Sequence, residues 1–317
     1  MWRPHDTKGF DQNTMRTTTK LRELLKGEPL AVPGVFDAIV AKIAREVGFR
    51  AVYVSGAATA NGVAGVPDIG LMDLTEMVRA AGYIAAAVPD LPVIADIDTG
   101  FGGIHNVARA IQEYERAGVA GVHIEDQVFS KRCGHLPGKA VISTEEMCQK
   151  IRAAIGARRD HDFVVIARTD AKAVHGFEDA VARAAAYIDA GADVIFPEAL
   201  NTREEFAEFA RRMRECAPGV PLLANMTDFG QTPYLPQAEF ARMGYQITIF
   251  PVTVFRLMMK AVRDALVELK ATGTQVGFLD RMLDRKELYR LVGYEEFAQA
   301  DLKFAEGAHP AAPDGKR

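Results

Sequence analysis

The 317-residue chain predicts an α/β fold, a (β/α)8 barrel of the TIM type with extra C-terminal helices. Two observations predict it. Short runs rich in Val, Ile and Ala alternate with amphipathic stretches of helical period, the pattern of repeated βα units around a parallel sheet. The apolar runs number eight, at 30–32, 51–55, 93–98, 121–125, 163–168, 194–197, 222–225 and 246–250, which fits a closed barrel. A doubly wound open sheet also alternates in this way, so closure is inferred from the count.

Between the runs, segments 107–117, 144–154, 180–190 and 203–214 keep apolar residues three and four apart, as helices packed on a sheet do. Ala117-Gly118 and Ala190-Gly191-Ala192-Asp193 put a glycine where a helix ends in a left-handed residue before the next strand. After the eighth run, 252–270 and 285–300 are two further helical patterns separated by Thr272-Gly273. The expected organisation is an N-terminal arm at 1–20, a barrel at 21–272, a helical extension at 273–304 and a disordered tail at 305–317, rich in Pro and Gly.

Composition narrows the class. Hydrophobic residues make up 49% and charged residues 25%, ordinary for a globular domain. The 38 Lys and Arg against 42 Asp and Glu carry a net charge of −4 with no long single-sign block, which argues against nucleic acid as a partner. Three cysteines, Cys133, Cys148 and Cys216, are too few and too scattered for a disulfide framework or a zinc finger. No 18-residue apolar run and no signal-like N-terminus occur, so a cytoplasmic protein without a membrane partner is expected.

Candidate chemistry lies at the C-terminal ends of the strands, where barrel enzymes carry their sites. Asp96 and Asp98 are two apart at the end of the third run and therefore project to one face of a strand. Like charges this close need a cation, and carboxylates without Cys or His nearby favour Mg²⁺ or Mn²⁺; otherwise the pair caps turns. His123 and Glu125 repeat the spacing one unit later, either orienting metal-bound water or forming a satisfied buried pair. Lys131-Arg132-Cys133-Gly134-His135 sets a thiol among cations and an imidazole, which suits a reactive cysteine, although a solvated basic loop carries the same letters. Cys148 and Cys216 fall in helical patterns and read as packing residues. Arg168-Thr169-Asp170, Glu198, Asn225-Met226-Thr227 and Arg256 follow the fifth to eighth runs, and two arginines in one polar rim suit a small polycarboxylate.

Together these residues resemble the isocitrate lyase and phosphoenolpyruvate mutase superfamily over about residues 21–294. The Lys131–His135 motif is similar to the lyase signature, and the chain is short for an isocitrate lyase. The resemblance thus points to the short lyases, chiefly the 2-methylisocitrate lyases, with 2,3-dimethylmalate lyases and oxaloacetate hydrolases as relatives. It implies an Mg²⁺-dependent carbon–carbon lyase that cleaves 2-methylisocitrate to pyruvate and succinate in propionate catabolism. By the same resemblance, Ser55, Gly56 and Ala57 form a substrate-carboxylate loop, Asp96 and Asp98 bind the metal, and Asp68 and Glu125 support them from behind. Cys133, Gly134, Arg168, Glu198, Asn225, Met226, Thr227, Arg256 and Arg285 contact substrate. Ala57 stands where the family frequently has glycine. A homotetramer that swaps a C-terminal helix between barrels is the implied assembly.

In the implied retro-aldol reaction Cys133 donates the final proton, in the setting of Lys131 and His135, and Tyr53 or a carboxylate-activated water is the candidate base. Residues 127–138 are the candidate lid.

Overall fold

The computed structural model describes residues 15–129, 131–132, 134 and 138–307, with backbone only for 303 and 305–307. Among them the chain forms two compact units, Met15–Val262 and the segment from Arg263 onward. The first holds eight strands: β1 (Leu30–Val35), β2 (Val52–Val54), β3 (Val93–Asp96), β4 (Gly121–Glu125), β5 (Val164–Thr169), β6 (Val194–Pro197), β7 (Leu223–Asn225) and β8 (Ile247–Phe250). All pairings are parallel, in the order β6-β5-β4-β3-β2-β1-β8-β7. A parallel bridge between Ile195 and Leu222 joins β6 to β7, with the Ile195 N–H donating to the Pro221 carbonyl at 3.1 Å. The eight predicted runs are the eight strands, and the sheet closes into a (β/α)8 barrel.

The helices α1 (Thr17–Lys26), α2 (Ala38–Val47), α3 (Gly56–Thr59), α4 (Leu74–Ala87), α5 (Ile104–Arg116), α6 (Thr144–Ala157), α7 (Lys172–His175), α8 (Phe177–Asp189), α9 (Arg203–Cys216) and α10 (Gln237–Met243) belong to the barrel unit. The expected glycine stops are left-handed, with φ of +84° at Gly118 and +106° at Gly191. Strand residues buried on both faces explain why the runs are apolar rather than alternating. One set of side chains packs outward under the helices. The other fills the barrel, including Val32, Ile94, Ile166, Phe196, Leu223 and Ile249.

Helix α1 belongs to the closed end. Its Leu21 and Leu25 join the interior packing, and Arg22 donates to the carbonyls of His161, Asp162 and Phe163 at 3.1–3.2 Å. The helix begins at Thr17, within the segment read as an arm. With one end filled in this way, the polar strand ends gather at the other.

Helix α11 (Thr253–Thr272) runs through the boundary between the units, and α12 (Arg285–Val292) and α13 (Tyr294–Gly307) lie in the second. The single pattern expected at 285–300 is two helices, because Gly293 takes φ +77° and caps α12. Within this unit Tyr289 and Tyr294 stack at 4.8 Å between ring centres. Of the tail expected as disordered at 305–317, residues 305–307 instead close α13, and the rest lies outside the described residues. Among the described residues no helix is long and apolar enough to cross a membrane.

Candidate active site

Strand β3 ends at Asp96, and Asp98 lies beyond it with φ +48°, in a turn that Gly100 and Phe101 continue at φ +86° and +60°. The two carboxylates therefore do not converge by strand alternation. They converge because the turn folds back, with the Asp98 N–H donating to Asp96 Oδ1 at 2.9 Å. Lys150, buried on α6, fixes the same turn by donating to the Thr99 carbonyl at 3.0 Å.

Lys131 enters from the β4 loop with its side chain 4% exposed, its Nζ 2.7 Å from Asp98 Oδ1 and 2.5 Å from Asp68 Oδ1. Burial alone would lower this ammonium. The carboxylates of Asp98, Glu125, Asp68 and Asp96 outweigh burial and hold its pKa well above the ordinary lysine value. Burial raises Asp96 and Asp98, and Lys131 pulls them back.

Tyr53 and His123 form the floor. The Tyr53 hydroxyl lies 3.1 Å from His123 Nδ1 and 3.3 Å from Asp96 Oδ2, and its one proton serves one of them at a time. His123 is fully buried, and burial together with Arg168 brings its pKa down to about 3, so the imidazole is neutral near pH 7. Its Nε2 sits 3.3 Å from Asp96 Oδ1 without the alignment of a hydrogen bond. Burial, then Asp96, pushes the Tyr53 phenol well above its usual range.

Glu125 is completely buried, and burial holds its carboxyl well up against the opposing pull of Arg168 and Lys131. Arg168 Nη1 is 3.0 Å from Glu125 Oε2, yet neither Glu125 oxygen is aligned for a hydrogen bond. The guanidinium also donates to Asp170 through Nε at 2.9 Å and Nη2 at 3.1 Å, faces Glu198 at 3.7 Å, and lies over Phe196. Asn225 Nδ2 donates to Glu198 Oε2 at 3.1 Å, which draws β7 into this group, while Asn225 Oδ1 is buried without a partner in hydrogen bonding.

Two glycines make room. A Cβ on Gly56 would stand 2.6 Å from Asp96 Oδ2, so the backbone at the start of α3 lies directly against that carboxylate. A Cβ on Gly134 would stand 2.5 Å from Arg168 Nη2 and 2.8 Å from Glu198 Cγ. Ser55 caps α3, its Oγ accepting from Ala58 N–H at 3.2 Å, and Ala57 is the second residue of that helix.

The Met226 side chain packs in the outer core and accepts from the Leu235 N–H at 3.4 Å through sulfur. Thr227 follows it, half-buried. Arg256 is exposed in the first turn of α11, its guanidinium over the Phe229 ring at 5.3 Å. Arg285 opens α12 in the second unit. Cys133 and His135 lie outside the described residues. Of the remaining cysteines, Cys148 is buried on α6 and Cys216 exposed at the end of α9.

The loop that carries Cys133 is tied at its base. Gln127 bridges to Val141, Val128 N–H donates to the Ala140 carbonyl at 3.0 Å, and the Gln127 side chain bonds both the N–H and the carbonyl of Arg132. Sequence reasoning passed over Lys139, whose Nζ donates to the Gly134 carbonyl at 2.6 Å and Asp170 Oδ1 at 2.8 Å. It also passed over the role of Asp126, which receives Thr169 Oγ1, the Asp170 N–H and Tyr187 OH, each at 2.8 Å. A cavity of about 320 Å³ opens beside Asp98 and Lys131, and one of about 400 Å³ beside Gly134 and Lys139.

The donor set suits a hard divalent ion. Asp68, Asp96, Asp98 and Glu125 supply buried or half-buried oxygens against Lys131 and Arg168, and the Glu125 oxygens lack hydrogen bonds. Among the described residues no three His, Cys, Asp or Glu make a cage, so an ion here would keep several waters, as Mg²⁺ does.

Fold and site define a parallel barrel whose rim joins an acid cluster to a buried guanidinium, the arrangement of a barrel enzyme. The chain belongs to the phosphoenolpyruvate phosphomutase family, which matches residues 21–270, within the phosphoenolpyruvate mutase/isocitrate lyase superfamily. It is 50% identical over 289 residues to a 2-methylisocitrate lyase from Aeropyrum pernix, covering 91% of each chain. A crystal structure of 2,3-dimethylmalate lyase superposes with a TM-score of 0.85 at 41% identity, covering 96% of this chain and 99% of that one. A phosphonopyruvate hydrolase in complex with oxalate and Mg²⁺ superposes with a TM-score of 0.82 at 31% identity, covering 92% and 100%.

Proposed function

We propose that this chain is a divalent-metal-dependent carbon–carbon lyase that cleaves 2-methylisocitrate to pyruvate and succinate, a step of propionate catabolism. The observation that carries the reading is the meeting of Asp96, Asp98 and Lys131 with the Gly134–Arg168–Glu198 contact at one barrel rim. Identity of 50% with a 2-methylisocitrate lyase across nearly the whole chain supports it.

Asp96 and Asp98 would hold Mg²⁺, or Mn²⁺ in its place, with Asp68 and Glu125 behind them. When bound, the ion supplies Lewis-acid polarisation of the substrate hydroxyl and its neighbouring carboxylate. Lys131 balances the acid cluster while it is buried. Ser55, Gly56, Ala57, Arg168, Asn225, Thr227 and Arg256 receive substrate carboxylates, and Arg168 is held rigid for this by Asp170. Tyr53 lies among the reacting groups, but its raised pKa suits a neutral hydroxyl that relays a proton between Asp96 and His123 rather than a free phenolate base. A carboxylate-activated water takes the hydroxyl proton as the hydroxyl carbon becomes the pyruvate carbonyl, the carbon–carbon bond breaks, and its electron pair passes to the succinate half. Cys133 donates the proton that quenches this carbanion, and His135 lies in the same motif.

The test incubates purified protein and Mg²⁺ with 2-methylisocitrate, isocitrate, 2,3-dimethylmalate and oxaloacetate in turn, with an EDTA control. Pyruvate from 2-methylisocitrate that disappears with EDTA is the expected result. Cleavage of 2,3-dimethylmalate alone gives the second reading, which the 41% identity to that lyase over 96% of this chain supports. Recognition of one methyl group is worth only about 1–3 kcal/mol, so competing substrates must be compared by kcat/KM. Cys133→Ser is expected to lower kcat at least ~100-fold while metal binding persists; a near-normal rate in that variant removes Cys133 as the acid. The proposed assembly is a cytoplasmic homotetramer, which light scattering of the purified chain checks.

A further inference from the structure

We propose that Lys139 is a positioning residue for the reaction, tying the backbone of the Cys133 loop to the carboxylate that orients Arg168. Lys139 donates to the Gly134 carbonyl at 2.6 Å and to Asp170 Oδ1 at 2.8 Å, with its side chain 2% exposed and that of Asp170 fully buried. The same Asp170 receives Arg168 through both of its oxygens, and its own N–H is anchored on Asp126 Oδ1 at 2.8 Å. Gly134 meanwhile lies against Arg168 Nη2 and Glu198 so closely that a Cβ would collide with both. Gly134 is thus held on Arg168 in two ways, by direct contact and through the Lys139–Asp170 bridge. This closed ring sets the backbone at Gly134, the residue next to Cys133 in the chain, and the Arg168 guanidinium in one frame.

The chemistry of the residue fits the task. An ammonium is compact and carries several donors on a flexible stem, so one nitrogen serves a backbone carbonyl and a carboxylate together. A planar guanidinium spreads its donors and reaches both acceptors less well from the same backbone position. A proton donor misplaced by about 1 Å can cost ~100-fold in rate without weakening substrate binding. Lys139 touches no reacting atom in this scheme and acts through Gly134 and Asp170.

The inference rests on the proposed lyase reading, with Cys133 as the acid, and the experiment separates the two. Lys139→Met and Lys139→Arg are compared with the wild-type chain in kcat, KM and melting temperature. Iodoacetamide labelling of Cys133 is measured by peptide mass spectrometry, with and without Mg²⁺ and succinate, and exposed Cys216 serves as the internal control. The expected result for Lys139→Met is a kcat lower by about 10- to 100-fold with KM within about threefold. Cys133 labelling should change severalfold while Cys216 labelling stays constant, and Lys139→Arg should recover part of both losses. A kcat within twofold of wild type, or a rise confined to KM, overturns the proposal; so does a loss of kcat with unchanged Cys133 labelling. Should Lys139→Met fail to fold, Lys139→Gln, which keeps one donor for one acceptor, is judged by the same criteria. A wild-type chain inactive on every diacid overturns the lyase reading, and the contrast between Cys133 and Cys216 labelling still decides the tether.

Discussion

Gly56 has no side chain because Asp96 occupies the space a Cβ would take, 2.6 Å from its Oδ2. The carboxylate is buried and already bonded to the Asp98 N–H, so it has little freedom to retreat. Gly56→Ala is therefore expected to turn Asp96 out of line and weaken Mn²⁺ binding about tenfold or more, since displaced ligands and their supports typically cost 10–100-fold. Titration of Mn²⁺ followed by electron paramagnetic resonance measures this directly, and unchanged affinity would remove Asp96 from the ligand set. Asp96 and Gly56 differ in how far the sequence exposes them. Asp96 stands out as an acid at the end of an apolar run, whereas the demand for glycine at 56 arises from a contact with a residue 40 positions away. Lys139 is hidden for a similar reason: a lysine after glycine reads as a solvated loop, and its partner Asp170 lies 31 positions away.

Elements were legible where local pattern and burial agree. The eight strands were read within a few residues because parallel strands covered on both faces are continuous apolar runs. Asp98 was placed on a strand because the residues before and after Ile97 look alike to a period-two reading, yet the chain turns left-handed there. The break at Gly293 carried a usable glycine signal, and the amphipathic pattern on either side obscured it. Helix α1 shows what one small element depends on. Burial would raise the Asp160 carboxyl, but hydrogen bonds from Thr18 and the Asp162 N–H, with Arg16 beside them, hold it below its ordinary value. A carboxyl lowered in the folded state contributes stability that is present above its unfolded pKa, about 3.9, and is lost as pH falls through the folded value. The α1 amides should therefore exchange more slowly in the wild type than in Thr18→Val at pH 6, with the difference shrinking below about pH 4. A difference that stays constant down to pH 3 would assign the effect of Thr18 to packing alone.

At the scale of the whole barrel unit, one end is filled by apolar side chains and α1, and the other gathers charge. Burying acids in this way opposes folding, because desolvation raises Asp96, Asp98 and Glu125 against the nearby cations. A divalent ion bound only by the folded chain reverses that cost through mass action. At 100 times its dissociation constant it adds about 2.7 kcal/mol, which for a unit of this size corresponds to roughly 5 °C in melting temperature. The acids come from the segment after β2, from the end of β3 and the turn that follows it, and from the end of β4, so an ion held there would link three successive units of the barrel rather than one loop. Calorimetry with Mg²⁺ against EDTA should thus show one cooperative barrel transition moving upward, not the sharpening of a minor early one. Asp98→Asn should abolish the shift while leaving the EDTA transition in place. An equal shift in Asp98→Asn would mean that the stabilising ion binds elsewhere, and the acid cluster would then need another explanation for its excess of carboxylates.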